Sequence, residues 1–316
     1  MPAASKIPVC LFGCHCDLLP KSWLVPMVTL SSLVLNSRHE TIRVSLLNCR
    51  PTTQFLMSKI SRVLKSGSRW RMKDLPGWNV SFRDKLAGEF FRRNVYSEFP
   101  HLRAFVTMPD ARSLRCIKSL TEGHDYYDSL ELLEKLEKAR YGLEIDVDSL
   151  WQSLYVKIGL IATLDSIETR KPLELDLCGG TTEANPDLRL VDGKGIIYQI
   201  VEDKSVRERK NPEAQLVAEA IATAQNNRKR RRNLGLREED VERIYAMTSR
   251  GLVPAFYDFR ISLGFEEAVT GGTYPPEPLV VSRFKPELSR PGGLWDVANR
   301  ALILGFVAAL GQISKP

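Results

Sequence analysis

Between Asp187 and Lys204 the sequence reads as a β-hairpin, which commits this part of the chain to a sheet. Asp187 to Val191 reads as one strand, Asp192-Gly193-Lys194-Gly195 is a tight-turn sequence, and Ile196 to Lys204 (IIYQIVEDK) is rich in β-branched and aromatic residues. Around it, Asp148 is placed to cap a helix running to about Ile167 on the spacing of Leu150, Leu154, Ile158, Ile161 and Leu164. A short strand follows at Leu173 to Leu177. After the hairpin, Asn211 caps a helix with Pro212 in its first turn and Leu216, Val217, Ala220, Ile221 and Ala224 as one apolar stripe, and Arg243 to Thr248 is the next strand. The order predicted is helix, three strands, helix, strand, an α/β layout whose second helix covers one face of the sheet.

Upstream the pattern is weaker. Thr41 to Cys49 has strand character, and Thr52 to Leu64 has an amphipathic face made by Phe55, Leu56, Ile60 and Val63. Asp125 to Tyr141 is a connector helix with Glu131/Lys135 and Glu134/Lys138 pairs, stopped at Gly142. These signals divide the 316 residues into an α+β extension over 1–144 and the α/β domain over 145–316. Six Cys, at positions 10, 14, 16, 49, 116 and 178, are too sparse for a disulfide framework and point to a reducing intracellular compartment. Asp17, Pro20, Lys21 and Pro26 interrupt the early apolar runs, so neither a membrane span nor a secretory signal is expected there, and Ala301 to Leu310 reads as a buried helix.

The hairpin also carries a chemical pattern. Pro186-Asp187 opens one strand, and Glu202-Asp203-Lys204 ends the other, with Glu202 fifteen positions after Asp187. Alternation along the strand places Glu202 and Lys204 on the face of Tyr198 and Ile200, with Asp203 on the other. Two carboxylates from adjacent strands suit a hard cation such as Mg²⁺ or Mn²⁺, and a neighbouring Lys can orient or deprotonate water and stabilise developing negative charge. The competing reading is an ordinary polar strand end beside a turn residue. Two other acidic-x-Lys triplets, Asp192-Gly193-Lys194 and Glu208-Arg209-Lys210, lie in a turn and in a polar run without strand character.

Pro186-Asp187 with Glu202-Asp203-Lys204, in that order of elements, resembles the PD-(D/E)xK nuclease superfamily with its restriction-endonuclease-like core, over roughly residues 145 to 260. The resemblance implies that Asp187 and Glu202 bind the metal and that Lys204 serves the hydrolytic water. It further implies a carboxylate from the first helix, for which Glu168 and Asp165 are both candidates, and it gives Gln215 a place on the helix after the Lys strand. Gln215 to Asn227 followed by Ala255-Phe256-Tyr257 is also similar to a group of uncharacterised fungal proteins with the same core.

The chain has a net charge of +7, and cations are dense near these residues. Arg207, Arg209 and Lys210 flank the site, and Arg228-Lys229-Arg230-Arg231-Arg232 ends the following helix, a density that suits phosphate backbones or nuclear import, against the plainer reading of cations at a helix C-terminus. Gln215, Glu219 and Asn226 form a polar stripe on that helix, expected to face water. No His falls inside the α/β segment and no P-loop occurs, which disfavours histidine-based hydrolysis and ordinary ATPase chemistry; Cys10, Cys14, His15 and Cys16 are poorly spaced for zinc, and Cys178 suits packing. The expectation is a Mg²⁺- or Mn²⁺-dependent nuclease acting on nucleic acid, DNA favoured over RNA, in the nucleus rather than the cytoplasm and with no membrane partner. The alternatives are an inactive nucleic-acid-binding module on the same fold and an interaction protein.

Overall fold

The computed structural model describes residues 64–92, 95, 98–116, 124–141, 143–161, 165–205 and 211–315. The strand expected over 41–49, the helix expected over 52–64 except its last residue, and the Cys and His of 10–16 lie outside the described residues. In chain order the elements are β1 (Val80–Asp84), α1 (Ala87–Phe91), α2 (Arg103–Thr107), α3 (Ala111–Cys116), α4 (His124–Tyr141), α5 (Glu144–Lys157), β2 (Ser166–Thr169), β3 (Leu173–Leu177), β4 (Gly180–Ala184) and β5 (Leu188–Val191). They continue with β6 (Ile197–Lys204), α6 (Pro212–Asn233), β7 (Val241–Arg250), β8 (Val253–Ser262), α7 (Leu263–Gly271), β9 (Leu279–Phe284) and α8 (Val297–Ser314).

Seven strands form one mixed sheet in the order β1-β9-β8-β7-β6-β5-β2, while β3 and β4 pair apart from it as a two-stranded ladder. Two pairings are parallel, β6 with β7 and β1 with β9; the others in the sheet are antiparallel. Each face of the sheet carries its own core. One is built from Phe91 of α1, Phe105 of α2, Leu114 of α3, Leu132 of α4, Trp151 of α5 and Phe306 of α8. The other holds Leu216, Val217 and Ile221 of α6, Phe265 of α7, Leu175 of β3, and the stacked Trp70 and Trp78. β6 is buried along its whole length, as a central strand covered on both faces must be.

The mixed α/β character agrees with the sequence reading, but two boundaries differ. The first helix stops at Lys157 because Gly159 takes a left-handed φ of +73°, and residues 166–169 become the sheet's edge strand. Apolar spacing carried past that stop because Leu160 is buried and Ile161 packs on the same core after the helix has ended. The strand at 173–177 forms as expected, yet outside the main sheet.

The described residues on both sides of 144/145 lie in one compact unit. β1 pairs in parallel with β9, and the short helices α1 to α3, with the longer α4, share the helical side of one core with α5 and α8. Elements of five or six residues carry too few periods for a sequence pattern to reveal them. Helix α8 is long and apolar enough to cross a membrane, and 67% of its apolar window is buried in the protein. Its Arg300, fully buried, donates to the carbonyls of Phe105 and Leu294 and so ties α8 to α2.

Candidate metal centre

Site geometry begins with a break in strand parity. The register between β5 and β6 shifts at Leu190/Val191, so β6 carries a bulge. Gln199 bonds to Tyr155 of α5 and Ser314 of α8, Ile200 belongs to the α6-side core and Val201 to the other. Continued alternation puts Glu202 and Lys204 on the α6 side with Ile200, as expected, and Asp203 opposite. Tyr198 belongs to the α5-side core, because the bulge lies between it and the regular alternation.

Asp187 is held where β5 begins by the hairpin itself: its Oδ2 accepts the Asp203 N–H at 2.8 Å. Helix α5 brings Glu144 and Asp148, four residues apart and therefore on one face. Helix α6, whose first turn is capped by Asn211 Oδ1 accepting from the Glu213 N–H at 3.0 Å, brings Gln215 and Glu219. Lys204 Nζ donates to Glu144 Oε1 at 2.6 Å and to the Asp203 carbonyl at 2.7 Å, and it lies against Glu202 Oε1. Gln215 Nε2 donates to Glu219 Oε1 at 3.0 Å. Glu144, Asp187, Lys204, Gln215 and Arg170 line a cleft of about 480 Å³.

Burying Asp187, Glu202 and Glu219 together makes these three hard to ionise. Burial, then Glu219 and Asp187, push the Glu202 carboxyl well above the usual range. Burial and Asp148 push Asp187 up to about 6, and burial and Asp187 push Glu219 up to about 7. For Lys204 burial works against the ammonium, but Glu202 and Glu144 outweigh it and the ammonium is held more firmly than usual. Both Glu202 oxygens are buried without a hydrogen bond. One oxygen from each of Glu144, Asp187 and Glu202 lies within 4.8 Å of the others. This all-oxygen set, in which Glu202 Oε2 has neither a hydrogen bond nor an ion pair, fits Mg²⁺ or Mn²⁺.

Asp187, Lys204 and Gln215 thus line one cleft with Glu202 buried against Lys204, whereas the expected carboxylate from Glu168 or Asp165 does not reach it. Glu168 is in β2 and pairs with Arg189 and Lys171; Asp165 accepts from the Tyr198 hydroxyl at 3.3 Å and lies 3.5 Å from Lys315. Because the helix ends earlier than expected, the first-helix carboxylates are Glu144 and Asp148. Asp148 is not a cap: it is buried within α5, and its Oδ2 takes the Arg170 guanidinium at 2.6 and 3.0 Å. Glu219, expected to face water, is fully buried at the centre. A signal was present in each case, an acidic residue on the core-facing side of a helix.

The basic run lies elsewhere. Thirteen residues separate Gln215 from Arg228, which is about 20 Å along a helix. Arg228 is 1% exposed, paired with Glu266 at 2.8 Å and donating to the carbonyls of Glu239, Asp240 and Ile261. It is therefore a core residue and not a phosphate contact. Lys229 pairs with Glu174 and Asp176, Arg231 with Glu242 and Arg232 with Glu238, while Arg230 donates to the Lys194 carbonyl. Of the five, Arg230 and Arg232 are exposed, Lys229 and Arg231 half-buried and Arg228 buried. Arg207, Arg209 and Lys210 lie outside the described residues. Cys178 packs against the α6-side core. No family model matches the chain, and no curated protein matches it.

Proposed function

We propose that the protein is a Mg²⁺- or Mn²⁺-dependent nuclease with a restriction-endonuclease-like core. The observation that carries this reading is the convergence of Glu144, Asp187 and Glu202 oxygens within 4.8 Å at a cleft that also holds the Lys204 ammonium. The order α5, β2, β5, β6, α6, β7 supports it, since the resemblance implies helix, three strands, helix, strand once the β3–β4 ladder is treated as an insertion.

When bound, the cation supplies Lewis acidity at a phosphoryl oxygen and acidifies a water. Asp187, Glu202 and Glu144 are the residues that would hold the cation. Lys204 exchanges its carboxylate partners for the water and the developing phosphorane charge, where a buried ammonium acts more strongly than it would in solvent. Gln215 holds Glu219 in place and presents its amide to the cleft. DNA is the first substrate to assay, with RNA as the comparison. The test is Mg²⁺-dependent degradation of plasmid, single-stranded DNA and RNA by the wild-type chain, Asp187→Asn and Lys204→Ala. Loss of degradation in both variants supports the reading; degradation unaffected by either, or none by the wild type, leaves a binding module in its place.

Asp187 also gives a pH-dependent expectation. Its acid is raised in the folded chain, so folding favours the protonated form, and native stability falls as pH rises from the unfolded value of 3.8 through about 6. Asparagine keeps an acceptor for the Asp203 N–H without the charge. In EDTA, Asp187→Asn is therefore expected to match the wild type near pH 4 and to be more stable above pH 7 by roughly 1–3 kcal/mol. Adding Mg²⁺ should stabilise the wild type and not the variant. Urea melts at both pH values check this; a variant less stable than wild type at pH 7 would mark Asp187 as a structural carboxylate.

A further inference from the structure

Behind the centre lies a second group of carboxylates, two of which the proposed chemistry leaves unused. Asp148, Asp187 and Asp203 bring one oxygen each to within 4.8 Å of one another, and all three side chains are buried. Asp203 is 0% exposed, and neither of its oxygens has a hydrogen-bond partner; Asp148 Oδ1 is in the same condition. The donors that reach the group go to other oxygens. Arg170 binds Asp148 Oδ2 at 2.6 and 3.0 Å, and the Asp203 N–H binds Asp187 Oδ2 at 2.8 Å. A buried carboxylate without a donor is strongly disfavoured unless a cation or a proton compensates it. Here Asp203 is such a group, Asp148 is half satisfied, and the two converge with Asp187 from the α5 side of β6, from α5 and from the start of β5.

We infer that Asp148, Asp187 and Asp203 hold a second, buried divalent cation of the hard, oxygen-preferring class. It shares Asp187 with the proposed nuclease centre and goes beyond that reading, because Asp203 faces away from Glu202 and Lys204. Its role is structural. A cation there links α5 to both strands of the hairpin, and Arg170 closes it from the cleft side. Carboxylate oxygens this close span a single ion's coordination shell, and no softer ligand is present among the group.

The test is calorimetric titration of the full-length chain with Mn²⁺ at neutral pH, alongside thermal melts with and without Mn²⁺, for wild type, Asp203→Asn, Asp148→Asn and Glu202→Gln. The wild type should bind two Mn²⁺ per chain, and each of the three variants one. Should Asp203→Asn fail to fold, Asp148→Asn carries the same expectation, since its amide oxygen still accepts from Arg170. Wild-type stoichiometry and melting shift in both Asp203→Asn and Asp148→Asn would overturn the inference, leaving a proton shared between two carboxyls in the cation's place. A single Mn²⁺ in the wild type, lost in Glu202→Gln but kept in both Asp variants, would overturn it as well. Failure of the nuclease reading is distinguishable: cleavage would then not depend on Lys204, while Mn²⁺ binding that depends on Asp203 would persist.

Discussion

Lys204→Ala is expected to cleave nucleic acid about a thousandfold more slowly than the wild-type chain and to bind Mg²⁺ more tightly. The two effects have one origin. In the structure the ammonium touches Glu144 and Glu202, two of the three carboxylates that would surround the ion, so an entering cation has to displace it. Removing that competing charge should raise Mg²⁺ affinity on the order of tenfold, because charges a few ångströms apart at a partly buried site interact by a few kcal/mol. Without Mg²⁺ the same variant should be destabilised, since Glu202 keeps no cation nearby. Melts across a Mg²⁺ series, together with a plasmid assay, measure both quantities. Tighter metal binding with undiminished cleavage would remove Lys204 from the chemistry, and weaker metal binding would show that the ammonium helps to assemble the carboxylates.

Arg228→Ala is expected to lower stability by about 3–5 kcal/mol, the cost of leaving a buried charge partner and carbonyls unpaired. Glu266 and the carbonyls of Glu239, Asp240 and Ile261 all depend on that one guanidinium, which joins the end of α6 to β8 and α7. By contrast, the double change Arg230→Gln with Arg232→Gln should stay within about 0.5 kcal/mol of wild type, because both side chains are exposed. Urea denaturation compares the two. A similar loss in both would mean that the run acts as a unit at the surface. If the exposed pair contributes to phosphate binding, the double variant should flatten the salt dependence of nucleic-acid binding by up to about two units of slope.

The hairpin and α6 were legible because they are long and their signals agree: turn residues at 192–195, an Asn-Pro start, and an apolar stripe that is fully buried in the structure. Asp187, Glu202 and Lys204 followed from strand parity, which holds over the last five residues of β6 even though the bulge displaces Tyr198. Glu144 and Asp148 were missed for a physical reason. A stripe of Leu and Ile continues through residues 158–161 after the helix has ended, and that shifted the inferred helix by several residues and pointed to its wrong end for a ligand. Arg228 was misread because charge in a sequence does not reveal its partners: Glu266 is 38 residues away along the chain and adjacent to it in space.

The bulge at Leu190/Val191 has a consequence for how relatives of this chain can vary in length. Upstream of it, a residue gained or lost in the 192–196 turn can be absorbed by enlarging or erasing the bulge, and the outer strand keeps its pairing. Downstream there is no such slack. One residue inserted between Gln199 and Glu202 would exchange the faces of Glu202 and Asp203, sending the first toward α5 and the second toward α6. Homologous sequences that keep the chemistry are therefore expected to tolerate indels in the turn while holding the interval from Gln199 to Lys204 fixed.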